Sequence, residues 1–137
     1  MKTTFVRLNA DWNAEPNAPD PRVRVEGPDV VLEFVANHHR FRRFADEQRI
    51  SVRFRSATRY RLGPTNDEGW TRGQCRFSRI APAWGEFYEV DGDLKLDEAP
   101  GGWISLGPSL APPRRHFLFY LRDETFECSA EDWALET

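Results

Sequence analysis

Apolar and polar residues alternate along much of the chain with the two-residue period of a β-strand. Within residues 50–62, even positions are mainly apolar and odd positions are mainly basic. Because successive strand side chains point to opposite faces, this segment is predicted to be one strand with an apolar face and a basic face. The basic face carries Arg53, Arg55, Arg59 and Arg61. We expect Arg72 and Arg76 to join it if residues 71–78 form the next antiparallel strand.

The C-terminal part of the chain predicts a β-hairpin. Residues 116–122 and 125–130 both alternate, and Asp123-Glu124 lies between them. A two-residue connection pairs these strands so that the apolar partners share one face, as a one-sided sheet requires. Because Asp-Glu is not a favoured two-residue turn, a longer loop shifted by a residue is the alternative. The predicted pairs are Leu121 with Phe126, Phe119 with Cys128 and Phe117 with Ala130.

One segment departs from the alternation. Asn37 is a suitable helix N-cap, and Phe41, Phe44 and Ala45 follow it at helical spacing. We therefore expect one short helix near residues 38–48. Elsewhere, turn-forming residues separate the apolar runs, which is typical of antiparallel strands.

Together these patterns predict an all-β or β-dominated fold. We expect an antiparallel barrel or sandwich of about seven to nine strands with at most one or two short helices. A chain of 137 residues has the size of one domain, so residues 1–137 are expected to form a single globular β-domain. The predicted core positions are Val23, Val25, Leu32, Phe34, Val52, Phe54, Phe77, Phe117, Phe119, Leu121 and Phe126.

The ends of the chain and its cysteines bear on its location. The N-terminal residues contain no apolar signal-peptide segment, and no apolar run is long enough to span a membrane. The two cysteines, Cys75 and Cys128, are expected to be free thiols in a reducing compartment. We therefore expect a cytoplasmic protein without a membrane association.

Charge is unevenly distributed along the chain. Residues 38–79 hold 11 arginines and four acids, a surplus of +7, whereas the whole chain has a net charge of −3. Lys2 and Lys95 are the only lysines. Arginine recognises carboxylates and phosphates bidentately, which lysine does not do. Codon usage is the alternative explanation of the arginine excess.

The first functional hypothesis follows from this asymmetry. A non-catalytic binding module would use the basic face to bind an acidic protein or a small anionic ligand. Nucleic acid is a less suitable partner because the rest of the chain carries −10 and repels phosphates. The alternative is that the arginines pair with acids on neighbouring strands.

The second hypothesis is an enzyme or small-molecule carrier with a pocket at one end of the β-structure. Tryptophans that adjoin Gly, acidic or amide residues can stack on a sugar or a base, or they can simply close the end of the fold. The pocket wall would contain Trp70, Trp84 and Tyr88, and the polar groups would be Glu86, Glu89 and His116. No metal-binding, phosphate-loop or dinucleotide motif is present in the sequence, so we expect no metal and no cofactor.

Overall fold

The computed structural model describes residues 3–64, 68, 71–72, 77, 81–92, 102–106 and 115–137. These residues contain ten strands in two antiparallel sheets, which form a β-sandwich and not a closed barrel. The predicted β-dominated fold is confirmed, with one strand more than the expected range. The strands are β1 Thr4–Arg7, β2 Arg22–Glu26, β3 Asp29–Val35, β4 Arg49–Arg55, β5 Arg59–Gly63, β6 Phe87–Asp91, β7 Ile104–Ser105, β8 Arg115–Tyr120, β9 Thr125–Ala130 and β10 Asp132–Glu136.

The order of the strands places β8 and β9 in the middle of the larger sheet. The six-stranded sheet has the order β1-β6-β8-β9-β5-β7, and the four-stranded sheet has the order β10-β4-β3-β2. β8 and β9 are buried along almost their whole length. Both faces of these strands are therefore covered, although their outward positions include the polar residues His116, Glu127 and Ser129.

Aromatic rings join the two sheets. Phe34 on β3 meets Phe119 on β8 at a centroid distance of 5.4 Å, and Phe54 on β4 meets Phe126 on β9 at 5.3 Å. The ring of Trp12, from the loop before β2, lies 5.9 Å from both Phe34 and Phe119. Such pairs bury a large apolar area and add a geometric preference to it. Aromatic rings therefore supply the largest side chains of the core between the sheets.

Most of the predicted core residues are buried, but two edge positions are not. Val25 is 47% exposed. Val23, on the same strand, is only partly buried. Their strand, β2, has a sheet neighbour on one side only, so less of it is covered. Phe77 packs partly buried against a second apolar cluster outside the main core. The remaining predicted core residues, Leu32, Phe34, Val52, Phe54, Phe117, Phe119, Leu121 and Phe126, are buried.

The prediction of one continuous strand over residues 50–62 is wrong. β4 ends at Arg55 in the four-stranded sheet, and β5 begins at Arg59 in the six-stranded sheet. Between them, Ser56 has a φ of 49° and its amide donates to the Asp29 carboxylate at 3.0 Å. A positive φ at a residue other than glycine turns the chain sharply, which the alternation of side chains does not reveal.

The C-terminal hairpin forms with a register two residues away from the predicted one. Phe119 pairs with Phe126, and Phe117 pairs with Cys128. The connection is longer than two residues, and the Leu121 amide donates to the Glu124 carbonyl at 2.9 Å. A shift of two residues keeps every side chain on its predicted face. The predicted faces are thus correct although the predicted pairs are wrong.

The helix predicted near residues 38–48 is also wrong, because this segment forms turns. Asn37 does act as a cap, since its Oδ1 accepts from the Arg40 amide at 3.1 Å. The later hydrogen bonds, from Phe44 to Phe41 and from Gln48 to Ala45, span three residues each. The bond from the Phe41 amide to the Asn37 carbonyl, at 3.2 Å, spans four residues as in an α-helix, but the segment then continues as turns.

The core packing predicts the consequence of removing a central ring. Phe119 has no exposed surface, so Phe119→Ala should destabilise the protein by about 3–5 kcal/mol through lost burial and a residual cavity. Urea denaturation measures this change. Val25→Ala, at a half-exposed position, is the control and should cost less than about 0.5 kcal/mol. Equal midpoints for the two variants would contradict the inter-sheet position of Phe119.

Candidate functional site

The basic side of β4 is an ion-pair network. The guanidinium of Arg53 donates to Glu136 at 3.1 Å, to Asp29 at 3.2 Å and to Glu26 at 3.1 Å. These acids lie on strands on both sides of β4 or at the turn between β2 and β3. The hydrogen bond to Glu136, then that to Asp29, raises the pKa of Arg53. Arg53 is therefore bound on all three nitrogens by groups of its own sheet.

Other arginines of the four-stranded sheet are paired in the same way. Arg55 donates to Asp132 at 2.9 Å, and Arg49 donates to Glu33 at 2.6 Å. Acids on neighbouring strands thus offset the positive charge of β4. The geometry here fits the alternative in which the arginines pair across the sheet.

The predicted basic site is divided between separate parts of the structure. Arg59 and Arg61 lie on β5, in register with Ser129 and Glu127, and so belong to the outer face of the six-stranded sheet. Arg72 lies elsewhere, 3.7 Å from Glu68, and both side chains are well exposed. Arg76 and Trp70 lie outside the described residues. The prediction of one shared face for Arg53, Arg55, Arg59 and Arg61 is therefore wrong.

Several predicted pocket residues do share the outer face of the six-stranded sheet. Tyr88 on β6 is buried there, and its hydroxyl donates to the Ala83 carbonyl at 3.2 Å. Desolvation raises the pKa of Tyr88. The ring of Trp84 stacks on Tyr120 of β8 at 4.9 Å. His116, also on β8, faces outward like Leu118 and Tyr120, which follow it by two and four residues.

Of the two predicted carboxylates, Glu89 does not join this group, whereas the charge of Glu86 adds to desolvation in raising the pKa of Tyr88. Glu89 follows Tyr88 on β6 and therefore points to the opposite face, where it accepts from Arg115 at 2.7 and 2.9 Å. Glu86 is half-buried just before β6, and its carbonyl accepts from the Tyr120 amide at 3.2 Å. The structure therefore separates Glu89 from Trp84, Tyr88 and His116.

A cleft opens beside Trp84 at one end of the sandwich. It has a volume of about 280 Å³ and is formed by the loop before β2, the end of β3, the segment before β6 and the β8–β9 turn. We call it the end cleft. The side chains that define its chemistry are Asn13, Asn17, Asn37, Trp84, Tyr120 and Arg122.

Hydrogen bonds between loops hold the end cleft together. The Asn13 amide donates to the Gly85 carbonyl at 2.8 Å, across 72 residues of sequence. Arg122 donates to the Asn17 carbonyl at 2.6 Å. Gly85, in the segment between Trp84 and β6, has a φ of 85°. Glycine adopts this backbone conformation without steric cost. The loops that line the cleft are therefore tied to one another.

Sequence reasoning found Trp84 but missed the polar residues of the end cleft. Asn13 and Asn17 lie in a Pro-rich loop without periodicity, and Arg122 falls within the predicted strand 116–122. Their only sequence signal is the clustering of asparagine around Trp12. That signal does not show that the loop folds against Gly85.

A second cleft, of about 520 Å³, lies near His38, His39 and Asp46. Its charged groups interact with one another and with the sheet: His38 lies 3.4 Å from Asp46, and Arg49 is bonded to Glu33 and Asp20. Among the described residues, no group of three or more His, Cys, Asp or Glu side chains is arranged to hold a metal ion. The end cleft, with its aromatic wall, is the better candidate for a ligand.

The fold and the end cleft define a class: a two-sheet β-protein with a loop-built cleft at one end of the sandwich. No protein-family model matches the chain, and neither does any curated protein or solved structure. In the part of the chain that the structure describes, no helix has the length and apolar character needed to cross a membrane.

Glu124, in the β8–β9 turn next to Arg122, carries an unfavourable charge. Desolvation is the main cause that raises its pKa, and Asp123 and Asp20 add to it. Its Oε2 atom is buried with no hydrogen-bond partner among the described residues. The carboxylate form therefore opposes folding at neutral pH.

Replacing Glu124 by Gln removes this charge. Because the folded-state pKa is raised, the unfolded state loses its proton first, and stability falls as the pH rises above the ordinary value of about 4.3. Glu124→Gln should therefore raise the denaturation midpoint at pH 7, and the gain should vanish near pH 3. Glu47→Gln, at an exposed carboxylate, is the control and should change little. A gain of equal size at both pH values would refute the electrostatic cause.

Proposed function

We propose that the protein binds a small carbohydrate in the end cleft. The observation that supports this most strongly is the position of Trp84: its ring lines the cleft and is held against Tyr120 at 4.9 Å, with an angle of 29° between the rings. An aromatic ring in a fixed orientation offers a flat apolar surface at a small entropic cost.

The other side chains of the end cleft suit the hydroxyl groups of a sugar. Asparagine amides donate and accept hydrogen bonds, and a guanidinium donates several. Asn37, Asn17 and Arg122 supply these groups beside the tryptophan. A volume of about 280 Å³ is close to the lower limit of ordinary ligand pockets and accommodates a single sugar ring.

The fixed loops favour binding without a large rearrangement. The bonds from Asn13 to Gly85 and from Arg122 to Asn17 already join three of the segments that form the end cleft. A site ordered before binding loses less conformational entropy when the ligand arrives. We therefore expect the end cleft to have a similar shape with and without the sugar.

The basic-face hypothesis has less support from the same structure. A ligand carboxylate at Arg53 would displace Glu26, Asp29 or Glu136, each bonded to it at 3.1–3.2 Å. Breaking such pairs offsets the gain from new ones. We therefore retain the idea of a binding module and place its ligand at the end cleft.

Substitution of Trp84 tests the proposal. We expect a panel of neutral, N-acetylated and acidic mono- and disaccharides to contain at least one that raises the melting temperature and changes the tryptophan fluorescence. Trp84→Ala should weaken the binding of that sugar by about tenfold or more, a loss of about 1.4 kcal/mol in binding free energy. Trp84→Phe keeps a flat ring and should bind with intermediate affinity.

Arginine variants provide the matched control. Arg122→Gln removes a donor at the end cleft, whereas Arg22→Gln removes the same charge from β2, where the side chain is 66% exposed. The first should weaken sugar binding and the second should not. No thermal shift with any sugar, or equal affinity for wild type and a folded Trp84→Ala variant, would overturn the proposal.

A further inference from the structure

Three polar side chains form a hydrogen-bonded chain under the outer face of the six-stranded sheet. His116 on β8 and Glu127 on β9 have fully buried side chains, and Nε2 of the histidine lies 2.7 Å from Oε1 of the glutamate. The other ring nitrogen, Nδ1, lies 3.0 Å from Oγ of Ser129. We call these residues the buried polar cluster.

The neighbouring strands bring the three residues together by their register. His116 pairs directly with Ser129, and Glu127 lies two residues before Ser129 on the same face of β9. Directly opposed residues and their diagonal neighbours are within reach of long side chains. The cluster is therefore a consequence of the hairpin register, which the structure shifts by two residues from the predicted one.

Burial of ionisable groups at the centre of a sheet is energetically unfavourable. Removing a carboxylate and an imidazole from water costs several kcal/mol, and an apolar pair of similar volume is often at least as stable. A buried ionisable group with a specific charge partner is a candidate for a functional site. Leu118, which also faces outward on β8, shows that an apolar side chain is accommodated on this face of the hairpin.

We assign the tautomer of His116 from the partners of its two ring nitrogens. A carboxylate accepts, so Nε2 of His116 carries the proton that Glu127 accepts. Nδ1 then has a lone pair and accepts from the hydroxyl of Ser129. This arrangement polarises the serine O–H bond towards a base that a third group orients, which is the general requirement for an activated nucleophile.

A positive charge lies beside the serine. Nε of Arg59 is 3.5 Å from Oγ of Ser129. The guanidinium also lies over the Trp103 ring at 4.2 Å, and that ring is 6.0 Å from the ring of His116. A cation fixed next to a nucleophile stabilises the oxyanion that forms when the nucleophile adds to a carbonyl.

We propose that Ser129 is an acyl-accepting nucleophile, with His116 as its general base and Glu127 as the residue that positions the histidine. Because Ser129 is only 6% exposed and His116 and Glu127 are buried, the proposal requires an acyl group that is small. The substrate class is therefore a small carboxylic ester, such as an acetyl ester.

The reaction balances with water as the only co-reactant. Oγ of Ser129 adds to the ester carbonyl carbon while Nδ1 of His116 takes the hydroxyl proton, and Arg59 stabilises the oxyanion. The ester C–O bond then breaks, and the alcohol leaves with the proton from Nδ1. Water, deprotonated by His116, hydrolyses the acyl-serine and releases the acid, and the proton returns to Oγ.

This site is separate from the end cleft. Tyr120, which lines the cleft, lies four residues from His116 along β8, a distance of about 13 Å. Each proposal can therefore fail alone.

Covalent labelling tests the proposed nucleophile. Folded wild-type protein is incubated with a small fluorophosphonate, and intact mass and peptide mapping locate the adduct. We expect one equivalent on Ser129, together with hydrolysis of p-nitrophenyl acetate. Ser129→Ala should remove both, and His116→Gln should slow labelling by about 100-fold or more. Ser51→Ala, at a nearly buried serine on β4, is the matched control and should change neither.

Peptide mapping of the wild type keeps the test decisive if a cluster variant fails to fold. No adduct on Ser129 of the folded wild-type protein, or an adduct on another residue alone, would overturn the proposal. Labelling of Ser129 that is unchanged in a folded His116→Gln variant would overturn the role of the histidine as base.

Discussion

The packing of aromatic rings between two sheets is the constraint on which the rest of the structure depends. Phe34 and Phe54 of the smaller sheet meet Phe119 and Phe126 of the larger one at centroid distances of 5.3–5.4 Å. Burial of such rings is the main favourable contribution to folding. It places β8 and β9 at the centre of the larger sheet, with one buried face on the core and the other holding the buried polar cluster and Tyr120 beside the end cleft.

The distribution of charge in the folded protein differs from its distribution along the sequence. The basic segment of the sequence turns from one sheet to the other at Ser56, so its arginines separate. Arg53 then meets acids that are distant in sequence, including Glu136, 83 residues away. The positive charge of Arg49, Arg53 and Arg55 is therefore offset in the folded protein, and ion pairs near the surface individually add little to stability.

The sequence was sufficient to predict strands and their buried faces, because a period of two residues records directly which side of a sheet is covered. Phe117, Phe119 and Phe126 are on the core face as expected. The alternation does not record a backbone turn such as that at Ser56, and a register shift of two residues leaves it unchanged. The pairs of the hairpin, and with them the contact of His116 with Ser129, were therefore beyond prediction.

The candidate site was predictable only in part, for a related reason. Trp84 was identifiable because an aromatic residue beside glycine in a loop is a common element of binding sites. Its asparagine partners were not, since Asn13 meets Gly85 across 72 residues without any periodic pattern to connect them. Loops acquire their contacts from the strands that end beside them, and these contacts become visible only in the folded protein.

A nuclear magnetic resonance titration with sugars is the sharpest test of sugar binding in the end cleft, because it reports the location of binding residue by residue. We expect the side-chain amides of Asn13 and Asn37 and the indole N–H of Trp84 to shift together and saturably, while the signals of β4 around Arg53 stay unchanged. Shifts confined to β4, or spread evenly over the protein, would contradict a ligand site at the end of the sandwich.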